Sequence, residues 1–158
     1  MFFLVAAIVS AARKSATSDE TPHIAAGLSY WKTGDFRLNP EHPPLVKALS
    51  AGVALLAMPV EFRVFDPEGN RVLASWEDGD QVPLGNILLY RRNDADRLLF
   101  WTRMAPILIG LAGGWAAWWW GRKLSGPWAG FCALTFLLLY PEYMGHARWV
   151  TFDVPVVA

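Results

Sequence analysis

Three clusters of ionisable residues lie beside apolar sequence: Asp19 and Glu20 with His23; Asn39 to Pro44, carrying Glu41 and His42, with Lys47; and His146, Arg148 and Asp153. An acid pair such as Asp19 and Glu20 offers a general base for a hydroxyl group, while Arg, Lys and His offer positive charge to a departing phosphate. Each cluster alone also has a plainer account. Acids at a helix start serve its positive dipole end, which covers Asp19, Glu20 and, ahead of Val154 and Pro155, Asp153. Pro43 and Pro44 make a rigid lead-in to a helix, with Glu41 and His42 merely solvated. His23 and His146 read separately as surface or interface residues. A metal bound by His23, His42 and His146 with a carboxylate stays open, although their spacing matches no compact ligand motif.

The surrounding composition changes the weighting. The 158 residues are 54% hydrophobic and 14% aromatic, with nine Trp, more apolar surface than one soluble core of this size needs. At a membrane boundary, ionisable groups gathered on one side are costly unless paired or functional, so chemistry there is the sharper expectation. Fourteen basic residues balance fourteen acidic ones, which leaves no bulk field to recruit nucleic acid. Cys132 is the single cysteine, excluding a disulfide framework and any metal-type cysteine spacing; in its apolar run it reads as a small buried or lipid-facing residue.

The elements that must position these groups follow from hydropathy. Residues 98–121 hold one charge, Arg103, and are long enough to span a bilayer; they contain Gly110 and Gly114 at a spacing that lets another helix approach closely. A second span is expected over 128–141, closed by Pro141. The turn between them, 122–127, carries Arg122 and Lys123 without an acid, which puts it on the cytoplasmic side. Residues 13–97 and 142–152 are then external loops. Arg13 and Lys14 argue against this, but long segments cross largely regardless of charge. Residues 1–12 read as a truncated first span rather than a secretory signal, and 153–158 as the start of another. Within the first external loop, 22–31 reads as a helix capped by Thr21, 43–58 as a helix at the membrane interface, and 61–80 as a region that admits a small hairpin. The expected fold is therefore mainly α: a polytopic transmembrane helical bundle whose long first external loop carries interfacial helices.

The ordered motifs carry a family likeness. Ser18-Asp19-Glu20 with His23 and Gly27, Gly34-Asp35, Asn39-Pro40-Glu41-His42-Pro43-Pro44-Leu45 with Lys47, and Gly145 to Asp153 together resemble the two external loops of the phospholipid-carrier-dependent glycosyltransferases of family 39. That family belongs to the GT-C superfamily and includes protein O-mannosyltransferases and lipid A aminoarabinose transferases.

The resemblance implies an enzyme of the bacterial inner membrane with an outward-facing site, of which this chain would be the N-terminal part and by itself inactive. Its donor would be a polyprenyl-phosphate-linked sugar, and its acceptor a protein, lipid or glycan hydroxyl. It implies Asp19 as the base, Glu20 in support and Asp153 as a second acid. His42 stands where some relatives carry a lysine, so His42, Lys47, Arg103 and Arg148 share the expected role at the donor phosphate. His23, Glu41 and His146 complete the candidate residues. The likeness leaves divalent-metal dependence open and implies no other cofactor. The rival expectation is a membrane transporter or lipid-phosphate-binding protein that holds the same headgroup without chemistry.

Overall fold

The computed structural model describes residues 1–63, 78–151 and 153. In chain order the elements are α1 (Phe2–Arg13), α2 (Glu20–Thr33), α3 (Pro44–Ala57), α4 (Gln81–Ile87), a π-helical turn (Leu88–Arg92), α5 (Ala95–Ser125), α6 (Pro127–Leu139) and α7 (Pro141–His146). The fold is mainly helical and holds no strand among the described residues. Most of the hairpin region expected over 61–80, and the span expected from 153 onward apart from Asp153 itself, lie outside the described residues.

Helix α2 is the hub. Glu20 to Tyr30 are all buried, because α3 and α4 pack against it along with the start of α5 and the Val150 segment. Ile24 and Leu28 join Ala51, Ala54, Leu89, Leu98, Leu99 and Val150 in the largest apolar cluster. Ala25, Ala26 and Tyr30 meet Leu38, Leu84 and Leu88 in a second. Two glycines set these approaches. A Cβ at Gly27 would run into the Lys47 carbonyl of α3, and one at Gly85 into the Thr21 carbonyl of α2.

Helix α2 begins earlier than the sequence predicts. Asp19, not Thr21, is the N-cap residue, and Pro22 falls in the first turn, where its missing N–H costs nothing. The Thr17 amide donates to the Glu20 carboxylate at 2.9 Å, and the Thr21 hydroxyl donates to the Ser18 carbonyl at 3.3 Å, which winds the chain up ahead of Pro22. At the other end Gly34 takes φ 70°, a left-handed C-cap that a side chain would strain.

Helix α5 spans 31 residues and is the one described helix long and apolar enough to cross a membrane; α1, α3 and α6 are apolar but shorter. It runs through the expected turn at 122–127. Arg122 lies over the Trp118 ring at 5.3 Å and Lys123 over Trp119 at 3.9 Å, both four residues apart, so cation–π contacts along one helix face carry the helix on to Ser125. The reversal shrinks to Gly126, at φ 87°. Helix α6 then returns antiparallel, with Gly114 against Leu138 and Gly130 against the Trp118 carbonyl. Gly114 of the predicted glycine pair thus serves close approach, and Gly110 presents its carbonyl to the Tyr143 hydroxyl at 2.7 Å. Pro141 opens α7 rather than only ending α6.

Candidate functional site

A cleft of about 830 Å³ opens beside the N-terminus of α2. Its walls bring together groups distant in sequence: Asp19 and His23 from α2, Glu41 and His42 from the loop before α3, Asn86 and Tyr90 from α4 and the π-turn, and Asp153. Members of all three polar clusters therefore meet in one place. Asn86, Tyr90 and Gln81 escaped the sequence reading. The signal was present in Val82, Asn86 and Tyr90, three cleft residues at four-residue spacing that share one helical face.

The two adjacent acids of α2 part company. Asp19 is exposed at the helix start and makes no capping bond to the helix backbone; among the described residues its carboxylate accepts only a long, 3.3 Å hydrogen bond from the Ser18 hydroxyl. Glu20 has no exposed surface and does not line the cleft. Its Oε1 accepts from Arg103 Nε at 2.8 Å and from the Val150 amide at 3.2 Å, and its Oε2 from Arg103 Nη2 at 2.7 Å. Arg103, also fully buried, donates its remaining N–H groups to the carbonyls of Ala11, Lys14 and Ser15 at 2.6–2.9 Å. A guanidinium has five N–H donors, and all five are spent. The role expected of Arg103 at a donor phosphate is thus closed to it in this arrangement, and Glu20 acts on the site only by fixing backbone.

Lys47 is likewise turned to structure. It is buried in α3, and its ammonium donates to the Asn39 carbonyl at 2.7 Å, the Asn39 side-chain oxygen at 2.9 Å and the His42 carbonyl at 2.8 Å. Burial pushes its pKa down to about 8, with the Glu41 charge acting in the opposite sense, so the ammonium persists at neutral pH. Lys47 clamps the loop that presents Glu41 and His42 and does not line the cleft, which removes it from the expected phosphate contacts. Asn39, at φ 54°, makes the sharp bend in that loop. Glu41 Oε1 accepts from Gln81 Nε2 at 2.7 Å and Asn39 Nδ2 at 3.0 Å; the Gln81 bond above all holds this carboxyl below the usual range.

His23 is buried, with Nδ1 2.7 Å from the Val150 carbonyl. Burial lowers its pKa, so the neutral ring donates from Nδ1 and carries its lone pair on Nε2. The His42 ring lies edge-on to it, 5.2 Å between centroids. Val150 is therefore held at both its amide and its carbonyl by α2, through Glu20 and His23. Three residues on, Asp153 receives His146 Nδ1 at 2.9 Å and the Thr151 hydroxyl at 3.0 Å; the His146 bond chiefly keeps the Asp153 carboxyl below its ordinary pKa. His146 thus orients Asp153 from outside the cleft lining. Arg148 is partly buried, and its Nε has no partner among the described residues; desolvation lowers its pKa, and Arg103 nearby adds to this. It too stands off the lining.

Among the described residues no group of three His, Cys, Asp or Glu side chains is arranged to hold a metal ion. The cleft lining carries the carboxylates of Asp19, Glu41 and Asp153, the two imidazoles, and no described lysine or arginine. Comparison with family models, with curated proteins and with solved structures finds no match.

Proposed function

We propose that this chain belongs to a polytopic membrane glycosyltransferase that moves a sugar from a polyprenyl-phosphate donor to an acceptor hydroxyl at the external membrane face. The observation that carries the reading is the split between neighbours: Asp19 exposed in the cleft and uncommitted to capping, Glu20 buried and fully bonded behind it. An acid left at a helix start without a capping bond is available for proton transfer. The convergence of Glu41, His42 and Asp153 on the same cleft supports the reading, as does α5, long and apolar enough to anchor it. The bundle would place the turn at Gly126 on the cytoplasmic side, with the cleft outward in a cell membrane of bacterial inner-membrane type.

In this reading Asp19 takes the proton of the acceptor hydroxyl as its oxygen attacks the anomeric carbon. The bond from that carbon to the phosphate oxygen breaks, and the polyprenyl phosphate leaves with the electron pair. A single displacement of this kind inverts the anomeric configuration. Asp153, oriented by His146 and Thr151, is the second acid beside the sugar, and catalysis rests on positioning and on stabilising the departing charge. Of the expected cations, Arg148 is the one with a guanidinium nitrogen without a partner among the described residues. The test is transfer of radiolabelled sugar from a panel of polyprenyl-phosphate donors by membranes carrying the full-length gene product. Transfer from at least one donor is expected. Binding of the lipid phosphate without transfer from any donor, in folded and inserted protein, would instead make this a transporter or lipid-binding protein.

A further inference from the structure

The cleft poses an electrostatic problem for the ligand just proposed, because a phosphate at its centre would face Asp19, Glu41 and Asp153 with no described lysine or arginine in the lining. A second groove, of about 330 Å³, adjoins it and is lined by Pro83, Asn86, Ile87, Tyr90 and Arg91. Asn86 and Tyr90 line both, so the two spaces share a wall. Arg91 is exposed there and has no acidic partner among the described residues, whereas the next residue, Arg92, is 3.5 Å from Glu61. Both belong to the π-helical turn Leu88–Arg92, which follows directly on α4. Asn93 fixes that turn by donating to the Leu88 carbonyl at 2.8 Å and the Glu61 carbonyl at 2.9 Å. Single π-helical turns are rare and occur frequently at functional sites.

We infer that Arg91 is the anion-binding residue for the cleft's ligand. The phosphate sits at Arg91, the hydrocarbon runs past Pro83 and Ile87, and the sugar crosses Asn86 and Tyr90 to reach the carboxylates. Arg148 lines neither groove, so contact at this end falls to Arg91. The inference deepens the glycosyl-transfer reading and rests on it for the phosphate being lipid-linked.

The experiment is binding of sugar-free polyprenyl phosphate to the full-length gene product in lipid nanodiscs, with inorganic phosphate as competitor and sugar transfer measured in parallel. Arg91→Ala should weaken lipid-phosphate binding by roughly tenfold or more, the loss of one charge-assisted hydrogen bond, and Arg91→Lys by less. Arg97→Ala, which removes an exposed arginine outside both grooves, should leave binding unchanged. Wild-type affinity in Arg91→Ala, with transfer intact, overturns the assignment of Arg91 and leaves the glycosyl-transfer reading standing. Neither binding nor transfer in the wild type overturns that reading and the inference with it. Inorganic phosphate competing as tightly as the lipid would make free phosphate the ligand and overturn the lipid-linked assignment.

Discussion

Arg103 closes a two-bond fork on Glu20, with Nε 2.8 Å from Oε1 and Nη2 2.7 Å from Oε2, and neither side chain has any surface exposed. The pair joins four segments: the carbonyls at and just after the end of α1, the start of α2, the first third of α5 and the amide of Val150. Removing one partner strands a buried charge, which costs about 3–5 kcal/mol. Glu20→Ala and Arg103→Ala should each lower stability by about that amount in detergent-solubilised protein, while Glu20→Leu with Arg103→Met should recover most of it. Single variants within about 1 kcal/mol of wild type would show the pair to be no more than a surface-type contact.

The folded state holds His23 with a lowered pKa because burial disfavours its charged form. An unfolded chain takes up that proton near its ordinary pKa of about 6.5, so between that value and the lowered one the unfolded state binds more protons. Stability is therefore fully present above about pH 6.5 and declines as the pH falls below it. Asn in place of His23 keeps a donor for the Val150 carbonyl and has no charge to gain. Unfolding curves from pH 7.5 down to about 5 should show a shallower decline for His23→Asn than for wild type. Parallel curves would contradict the burial argument.

Gly27 lets α2 and α3 touch backbone to backbone, since a Cβ there would overlap the Lys47 carbonyl. Backbone cannot yield as a side-chain tip can. Gly27→Ala should therefore destabilise by about 1–3 kcal/mol, as overpacking does. It should also disturb the Lys47 clamp on the Asn39–His42 loop, so the substitution ought to reduce transfer as well as stability. An alanine that leaves both unchanged would mean that the helices separate freely here.

Cys132, the single cysteine, is exposed on α6 among Phe131 and Phe136, which are also exposed. An apolar outer face of that kind fits lipid contact. In intact membranes a charged maleimide should leave Cys132 unlabelled, and should label it once the membrane is dissolved in denaturing detergent. Rapid labelling in intact membranes would place α6 in water and contradict the bundle.

Several helices are legible because their signals are local: the apolar stretches of α5 and α6 and the prolines opening α3. Their limits were less so. The turn expected over 122–127 rests on the gap between two apolar spans and its sidedness on charge, whereas Arg122 and Lys123 find partners in Trp118 and Trp119 one helical turn back. The candidate site shows the same division. Residue types singled out Asp19, His23, Glu41, His42 and Asp153, which do meet in the cleft. Types could not show that Lys47 and Arg103 spend their donors on backbone oxygens and carboxylate, because those bonds depend on packing between segments distant in sequence. Whether an acid next to another acid faces inward or outward is fixed by helix rotation, and α2 begins two residues before the expected start.

The most direct measurement is sugar transfer by Asp19→Asn in the full-length gene product, taken together with its unfolding temperature. Asp19 holds no capping bond and is exposed, so its loss should leave the unfolding temperature within a few degrees of wild type. Transfer should fall by about a hundredfold or more, as when a general base is removed. Transfer kept within roughly twofold of wild type in a variant of unchanged stability would contradict Asp19 as the base, since a lost proton acceptor cannot be that cheap.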